Sequence, residues 1–439
     1  MNSVFMKSSF WQAVPQDYAS GIVLGPVINK AKCGFSHTLD KLLCQPNRPS
    51  PTIKSFAALA LASYMADKCY SRSVAGDSWT RELSLNIPVN GRFAPAIPIF
   101  ADGLNFLSGD NWNIVIRSEK VEIGERTYYK DKFKADAVCL FSGGTDSLTG
   151  AINLLEEGNS IVLVSHFESG SDAGIQNKIF YRLVKEYGHE RVRHMSIRVC
   201  APLTKERSTR SRSFLFIGLA LMVASAFGEE VPIYIPENGF VGINIPLTGS
   251  RLGSYSTRTT HPAYFEFVQE GLRAASIGNS LINPFFMLTK GEVLATCRNQ
   301  KLLKQILPLT VSCAKAGWVR FEGGKPGTNC GFCYPCLIRR AAFHSIDKDD
   351  PNSYVHDAIG SPQCLRSESK GSDLRCLLQS VSRYQKVGSS LFLNILKSGS
   401  IASVVRKADL IHPIENGLKE IIALISGKGC SEVKEYMAR

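Results

Sequence analysis

With 439 residues, 44% of them hydrophobic and 20% charged, the chain is long enough for one large domain with attachments or for two to three domains, and its balance is that of a soluble globular protein. The formal charge of +13 favours polyanionic partners such as ATP, RNA, DNA or an acidic protein without choosing among them. The longest uncharged apolar run, 214–227, has 14 residues where a membrane span needs roughly 20, and no continuous apolar stretch precedes Pro15, so neither a span nor a signal peptide is expected and the cytoplasm is the default.

Residues 1–134 carry no recognisable catalytic motif. The stretch 52–65 has helical apolar spacing, whereas 79–88 and 112–117 alternate or run apolar as strands do, which predicts an α+β N-terminal region of unknown role. From 135 the pattern becomes regular: a strand over 137–141, a helix over 148–155, a strand over 160–167, a helix over 174–187, a strand over 192–199, the apolar helix 214–227 and a strand over 231–236. Strands alternating with helices of this length predict an α/β fold with a doubly wound parallel sheet, whose ligands sit at the carboxyl ends of the strands. The loop after the first strand, His166 with Phe167 and Glu168, Arg198, and Glu237 with Asn238 all fall at those ends.

The loop itself reads Ser142-Gly-Gly-Thr-Asp-Ser147. Gly143 and Gly144 let the backbone turn sharply and approach a bulky anion, while Ser142, Thr145 and Ser147 place hydroxyls beside the free amides of a helix N-terminus. That is a phosphate cradle, but the lysine of the Gly-Lys-Ser/Thr pattern is absent, so it is not the common nucleoside-triphosphate loop. Asp146 can cap the loop locally and can also help to position Mg²⁺, which prefers hard oxygen ligands.

Further on, Cys330, Cys333 and Cys336 follow one another at three-residue intervals, with Gly331 and Pro335 allowing a tight knuckle. With Cys313 they make four sulfurs, the number that a closed structural zinc site requires; an iron–sulfur cluster on Cys330, Cys333 and Cys336 is the competing assignment. Residues 346–439 hold helical patterns at 374–384, 391–397, 401–408 and 418–426, broken by Gly and Pro, and predict a helical C-terminal appendage.

The Ser-Gly-Gly-x-Asp-Ser loop resembles that of the PP-loop ATP pyrophosphatases, an adenine nucleotide alpha-hydrolase-like fold whose members cut ATP between the α and β phosphates. With Asn283-Pro-Phe-Phe-Met-Leu-Thr-Lys-Gly-Glu292 and the Ser-Cys and Cys-Gly-x-Cys-x-x-Cys-x-x-Arg segments, in this order, the chain is similar over 135–345 to the 7-cyano-7-deazaguanine synthase (QueC) family of that superfamily. The resemblance implies adenylation of the carboxylate of 7-carboxy-7-deazaguanine and its conversion to amide and nitrile, with ATP, Mg²⁺ and Zn²⁺ as cofactors. By the same resemblance Ser142, Gly143, Gly144, Asp146 and Ser147 bind the pyrophosphate of ATP, with Thr145 beside them in the cradle, Ser165, His166 and Phe167 approach the base, and Arg212 matches the family's Arg-Asn position, with Ser213 in place of the Asn. Lys290 is implied as a charge stabiliser, so that Asp146, Ser147 and Lys290 are the expected catalytic residues and Cys313, Cys330, Cys333 and Cys336 the expected zinc ligands.

Departures from the family are as informative. The insertion 314–329 is longer than usual, the family's Ser-Gly-Tyr-Pro-Asp segment is replaced over 251–262, and 1–134 and 346–439 are additional. This layout resembles the QueC-like proteins of anti-phage operons of the Qat type. It implies a deazapurine acid substrate and protein partners from the same operon, and opens a second outcome in which a partner's amine takes the acyl group. A tRNA-modifying enzyme of the same fold (thiolation or amidation) and a non-catalytic ATP-binding assembly subunit are the alternative functions.

Overall fold

A computed structural model describes residues 2–27, 32–43, 47–123, 133–206, 208–246, 258–325, 327–387, 391–401, 404 and 406–438. Ten strands are present among them: β1 (Asn2–Met6), β2 (Ile22–Leu24), β3 (Ser36–His37), β4 (Glu82–Val89), β5 (Asn111–Ser118), β6 (Ala137–Leu140), β7 (Ile161–Phe167), β8 (Val192–Cys200), β9 (Ile233–Tyr234) and β10 (Leu281–Ile282). They form a four-stranded sheet of order β2-β1-β4-β5, parallel throughout, and a six-stranded sheet of order β10-β9-β6-β7-β8-β3. In the larger sheet β10, β9, β6, β7 and β8 are parallel and β3 closes the edge antiparallel to β8. The α/β architecture with a parallel sheet is the one the sequence predicts.

Strand order reverses at β6: the chain proceeds outward through β7 and β8 on one side and returns to β9 and β10 on the other. A crevice opens at the carboxyl end of the strands at such a switch point. The Ser142–Ser147 loop follows β6 and therefore lies in it.

The N-terminal segment is woven into this frame. Helix Pro51–Cys69 starts at a Ser50 cap that accepts from the Ile53 amide, and all of its residues except Pro51, Thr52 and Lys54 are buried. It is buried on nearly every side because it packs on β1 and β4 with one face and on helix Arg212–Phe227 with the other. Gly218 permits that closeness, since a Cβ there would stand 3.0 Å from the Cβ of Ala60. One continuous core links Val4, Phe56, Leu59 and Leu85 to Val138, Val164, Phe214 and Leu221.

A second core joins the cysteine knuckle to the C-terminal helices, uniting Cys330, Cys336 and Leu337 with Leu374, Leu378, Leu418, Ile421 and Ile425. These helices are Ser372–Val387, Leu391–Ser398, Ile411–Lys428 and Ser431–Ala438. The helix expected over 401–408 differs: Ala402, Ser403 and Val405 lie outside the described residues, and Lys407–Leu410 is a single 3-10 turn leading straight into helix Ile411–Lys428. Of the substituted segment 251–262, residues 251–257 also lie outside the described residues.

Candidate functional site

Gly143 takes φ +84°, the left-handed turn that lets β6 end and helix Thr145–Glu156 begin at once. The Gly144 amide donates to the Ser142 hydroxyl (3.3 Å), but among the described residues no side chain caps the helix itself, so its first amides remain available at the crevice, where the macrodipole also favours an anion. The loop is braced from behind: the Val311 amide donates to the Gly143 carbonyl (3.1 Å), and the hydroxyls of Ser142 and Ser147 lie 3.2 Å apart. Thr145 turns inward instead, fully buried, and its hydroxyl donates to Asp146 Oδ1 (3.0 Å).

Asp146 and Lys290 meet although 144 positions separate them; Lys290 Nζ donates to Asp146 Oδ1 at 2.5 Å, and both side chains are largely buried. Asp146 Oδ2 accepts from the Asn238 amide (3.2 Å) and from Asn238 Nδ2 (2.7 Å). Burial by itself would raise the Asp146 carboxyl, but the Lys290 ammonium and the Asn238 donors outweigh it and hold the group below its ordinary range, as a carboxylate. Lys290 opens helix Lys290–Ala295, which is fixed by a reciprocal capping box between Thr289 and Glu292.

Two cavities flank the loop. The first, about 470 Å³, is lined by Ser142, Gly144, Thr145, Asp146, Ser147, Glu237, Asn238, Lys290, Cys313, Tyr334 and Asp373, among others. The second, about 440 Å³, is lined by Leu140, Ile175, Phe216, Ile217 and Ile235 together with Asp172, Arg210 and Arg212. Ser142, Ser147, Pro236, Glu237, Val311 and Cys313 line both, so the loop is the partition between them.

His166 and Phe167 line neither cavity. His166 is fully buried: its Nδ1 accepts from Arg212 Nε (3.2 Å) and its Nε2 donates to the Val199 carbonyl (3.0 Å). Burial, reinforced by the neighbouring Arg212 guanidinium, pushes its pKa down to about 3, consistent with a neutral ring in those roles. His166 thus orients Arg212, which does reach the second cavity. Ser165, the residue before it, is likewise engaged within the sheet, donating to the Phe141 carbonyl (2.5 Å).

The segment bearing Arg210 and Arg212 is held by the N-terminal region. Asp67 Oδ2 accepts from the amides of Arg210 and Ser211 and from the Ser211 hydroxyl, at 2.8, 2.9 and 2.8 Å. Asp67 is in turn paired with Arg81, Arg81 with Asp110, and Asp110 with Arg72, all buried. Tyr64 and Lys68 bind Glu168 at the end of β7 (2.6 and 3.2 Å). None of the N-terminal residues Tyr64, Asp67, Lys68, Arg72, Arg81 and Asp110 belongs to a motif that a sequence pattern names. Glu237 and Asn238 do stand at a strand end, where the sequence points, but nothing in the pattern reveals that Asn238 holds Asp146.

The four cysteines converge. Their sulfurs all lie within 4.8 Å of one another, with Cys313–Cys333 and Cys330–Cys336 each at 3.8 Å. Tetrahedral coordination at a zinc–sulfur distance of about 2.3 Å puts sulfurs about 3.8 Å apart, whereas the several metal and sulfide atoms of a cluster would hold thiolates wider. Amides of Lys315 and Cys330 point at Cys313 Sγ (3.3 and 3.4 Å), and that of Cys333 at Cys330 Sγ (3.4 Å), donors suited to thiolates. Gly331 turns the knuckle at φ +90°, and a Cβ there would stand 1.9 Å from the His356 carbonyl oxygen. The donor set and spacing fit one zinc ion.

No family model matches the chain. It is similar to the 7-cyano-7-deazaguanine synthase of Sulfolobus acidocaldarius, 26% identical over 281 residues covering 56% of this chain and 53% of the relative. It is also similar to the enzyme of the same name from Saccharolobus solfataricus, 23% identical over 272 residues covering 58% and 54%. The chain thus spans about half the length of the curated relatives it matches.

Proposed function

We propose that the protein is an ATP-dependent synthase that adenylates a carboxylate of the 7-carboxy-7-deazaguanine class and passes the acyl group to a nitrogen nucleophile. The observation that carries this is the uncapped amide loop placed between two cavities with the Asp146–Lys290 pair beside it. The similarity to two synthases supports the substrate class. The second cavity, with Leu140, Phe216, Ile217 and Ile235 on its wall, suits the base of ATP, and the loop amides suit its leaving pyrophosphate.

In the first step a substrate carboxylate oxygen bonds to the α-phosphorus and pyrophosphate departs. The loop amides and Lys290 take up its charge, which requires alignment and electrostatics more than a dedicated base. Asp146 is occupied by Lys290, Thr145 and Asn238, so it serves to hold Lys290. Mg²⁺ would arrive on the phosphates, keeping few protein ligands. In the second step nitrogen attacks the acyl carbon and AMP leaves. Cys313, Cys330, Cys333 and Cys336 would hold zinc, which supplies structural cross-linking between the crevice and the C-terminal helices.

We assign the chemistry to residues 135–345, support of the Arg210–Arg212 segment to 1–134, and support of Lys290 to 346–439. A protein acceptor, as in a Qat-type anti-phage system, is favoured by the insertion 314–329. Its Ala314 and Ala316 line the cavities, and its Trp318 and Phe321 are 57% and 68% exposed. The test is incubation with 7-carboxy-7-deazaguanine, ATP and ammonium, with and without proteins encoded beside it, read by mass spectrometry. An amide, a nitrile or an acylated partner supports the proposal; consumption of none of the acid under any of these conditions contradicts it. Co-purifying tRNA that becomes modified instead would move the acceptor to RNA.

A further inference from the structure

Amide formation has a proton to dispose of. When an amine nitrogen bonds to the acyl carbon and the acyl–oxygen bond to AMP breaks, one proton must leave the nitrogen, and an ammonium must lose another before it can attack. Among the described residues Glu237 is the one carboxylate that lines both cavities. We propose that Glu237 is the proton acceptor for the nitrogen nucleophile in the second step, an assignment that rests on the adenylating function proposed above.

The other acids are less suited. Asp146 is fully engaged by Lys290, Thr145 and Asn238. Asp373 lines only the first cavity and caps a helix, accepting from the Tyr334 amide (2.8 Å), and Asp172 lines only the second. The backbone of Glu237 is clamped on both sides by Asn283, whose Oδ1 accepts from its amide (3.3 Å) and whose Nδ2 donates to its carbonyl (2.9 Å). Its Oε2 accepts from the Thr260 hydroxyl (2.6 Å), and among the described residues its side chain makes no other hydrogen bond. One oxygen is oriented, and the other is without a hydrogen-bond partner among the described residues.

The surroundings also suit a base. Burial raises the Glu237 carboxyl above its ordinary range; the Thr260 hydroxyl and Lys290 pull the other way, and the Asp146 charge adds to the rise. The remaining charged groups at the two cavities are Asp373 on one side and Asp172, Arg210 and Arg212 on the other, with Cys313 reserved for the metal. A carboxylate of raised pKa is a stronger base and better matched to an amine. Because the group works deprotonated, nitrogen transfer should rise with pH through a limb placed above the usual carboxylate range.

The test uses the full chain and two assays: acid-dependent exchange of pyrophosphate into ATP, which reads the first step, and amide formation with ammonium across pH, which reads the second. For Glu237→Gln the ratio of amide formation to exchange should fall by about 10²-fold or more, with the acid limb lost. Hydroxylamine, which is largely neutral where ammonium is charged, should recover part of the ratio, and Glu237→Asp should restore part of the limb. An unchanged ratio with the wild-type limb, or a parallel fall of both activities, overturns the assignment. Absence of exchange in the wild type would instead overturn the adenylating function itself.

Discussion

Asp146 is held as a carboxylate by the Lys290 ammonium and the Asn238 donors. Removing either partner of a buried pair leaves an uncompensated charge, at a cost of about 3–5 kcal/mol, whereas an apolar pair in its place is often no less stable, so this pair is better explained by holding an ammonium where charge develops than by stability. The sequence showed the Asp as part of the loop and the Lys as a family position, but their contact spans 144 residues and has no local signature. Sequence reasoning about His166 had a different limit. A strand end fixes how deep a residue lies, not which face it takes, because successive side chains alternate; Ser165 bonds toward β6 while His166 turns to Tyr64 and Phe216. The cysteines were legible because three of them are local, and the fold brings Cys313 across an insertion to complete the set. Elemental analysis should find about one zinc per chain and negligible iron in colourless protein, with Cys333→Ser losing the metal and melting at lower temperature. Brown, iron-bearing protein would contradict the four-sulfur geometry.

Helix Ile411–Lys428 places His412, Asn416 and Glu420 four residues apart on one stripe, and the stripe grips the segment that carries Lys290. His412 Nε2 and Asn416 Nδ2 meet Glu292 Oε1 at 2.9 and 3.2 Å, and Glu420 accepts from the Thr289 hydroxyl. Gly291 makes the approach possible, since a Cβ there would stand 2.4 Å from Glu420 Oε1. The helix was legible from its apolar spacing; its polar stripe was not, because its partners are 120 to 131 residues away. Burial raises Glu420 to about 7, partly offset by Thr289 and Gly291. A carboxyl raised in the fold favours the folded state below its unfolded pKa of about 4.3 and loses that contribution as pH climbs through about 7. Glu420→Gln does not titrate, so its melting temperature relative to wild type should rise between those pH values and level off above them. A difference that stays flat with pH would show that Glu420 is not held in this way.

Across the whole molecule, the parallel sheet from β6 to β9 was readable because each strand and helix announces itself by its own period. Strands β1, β2, β3 and β10 stand outside that regular alternation, and no local pattern shows that helix Pro51–Cys69 packs both on the smaller sheet and on helix Arg212–Phe227, which covers the larger one. Consequently the crevice is built from three parts of the chain: the loop and β9 end in the centre, the Asp67–Arg81–Asp110 network from the N-terminal side, and the Glu420 stripe from the C-terminal side. All three converge on the crevice to which we assign the cutting of ATP at its α-phosphate. The most direct measurement is therefore the fate of ATP labelled at the α-phosphate, incubated with the wild-type chain, Mg²⁺ and a 7-deazaguanine carboxylic acid, beside Lys290→Met. The wild type should release AMP and pyrophosphate in an acid-dependent reaction that the variant slows by about 10²–10³-fold. Release of ADP and inorganic phosphate, or AMP formation that Lys290→Met leaves intact, would contradict the account.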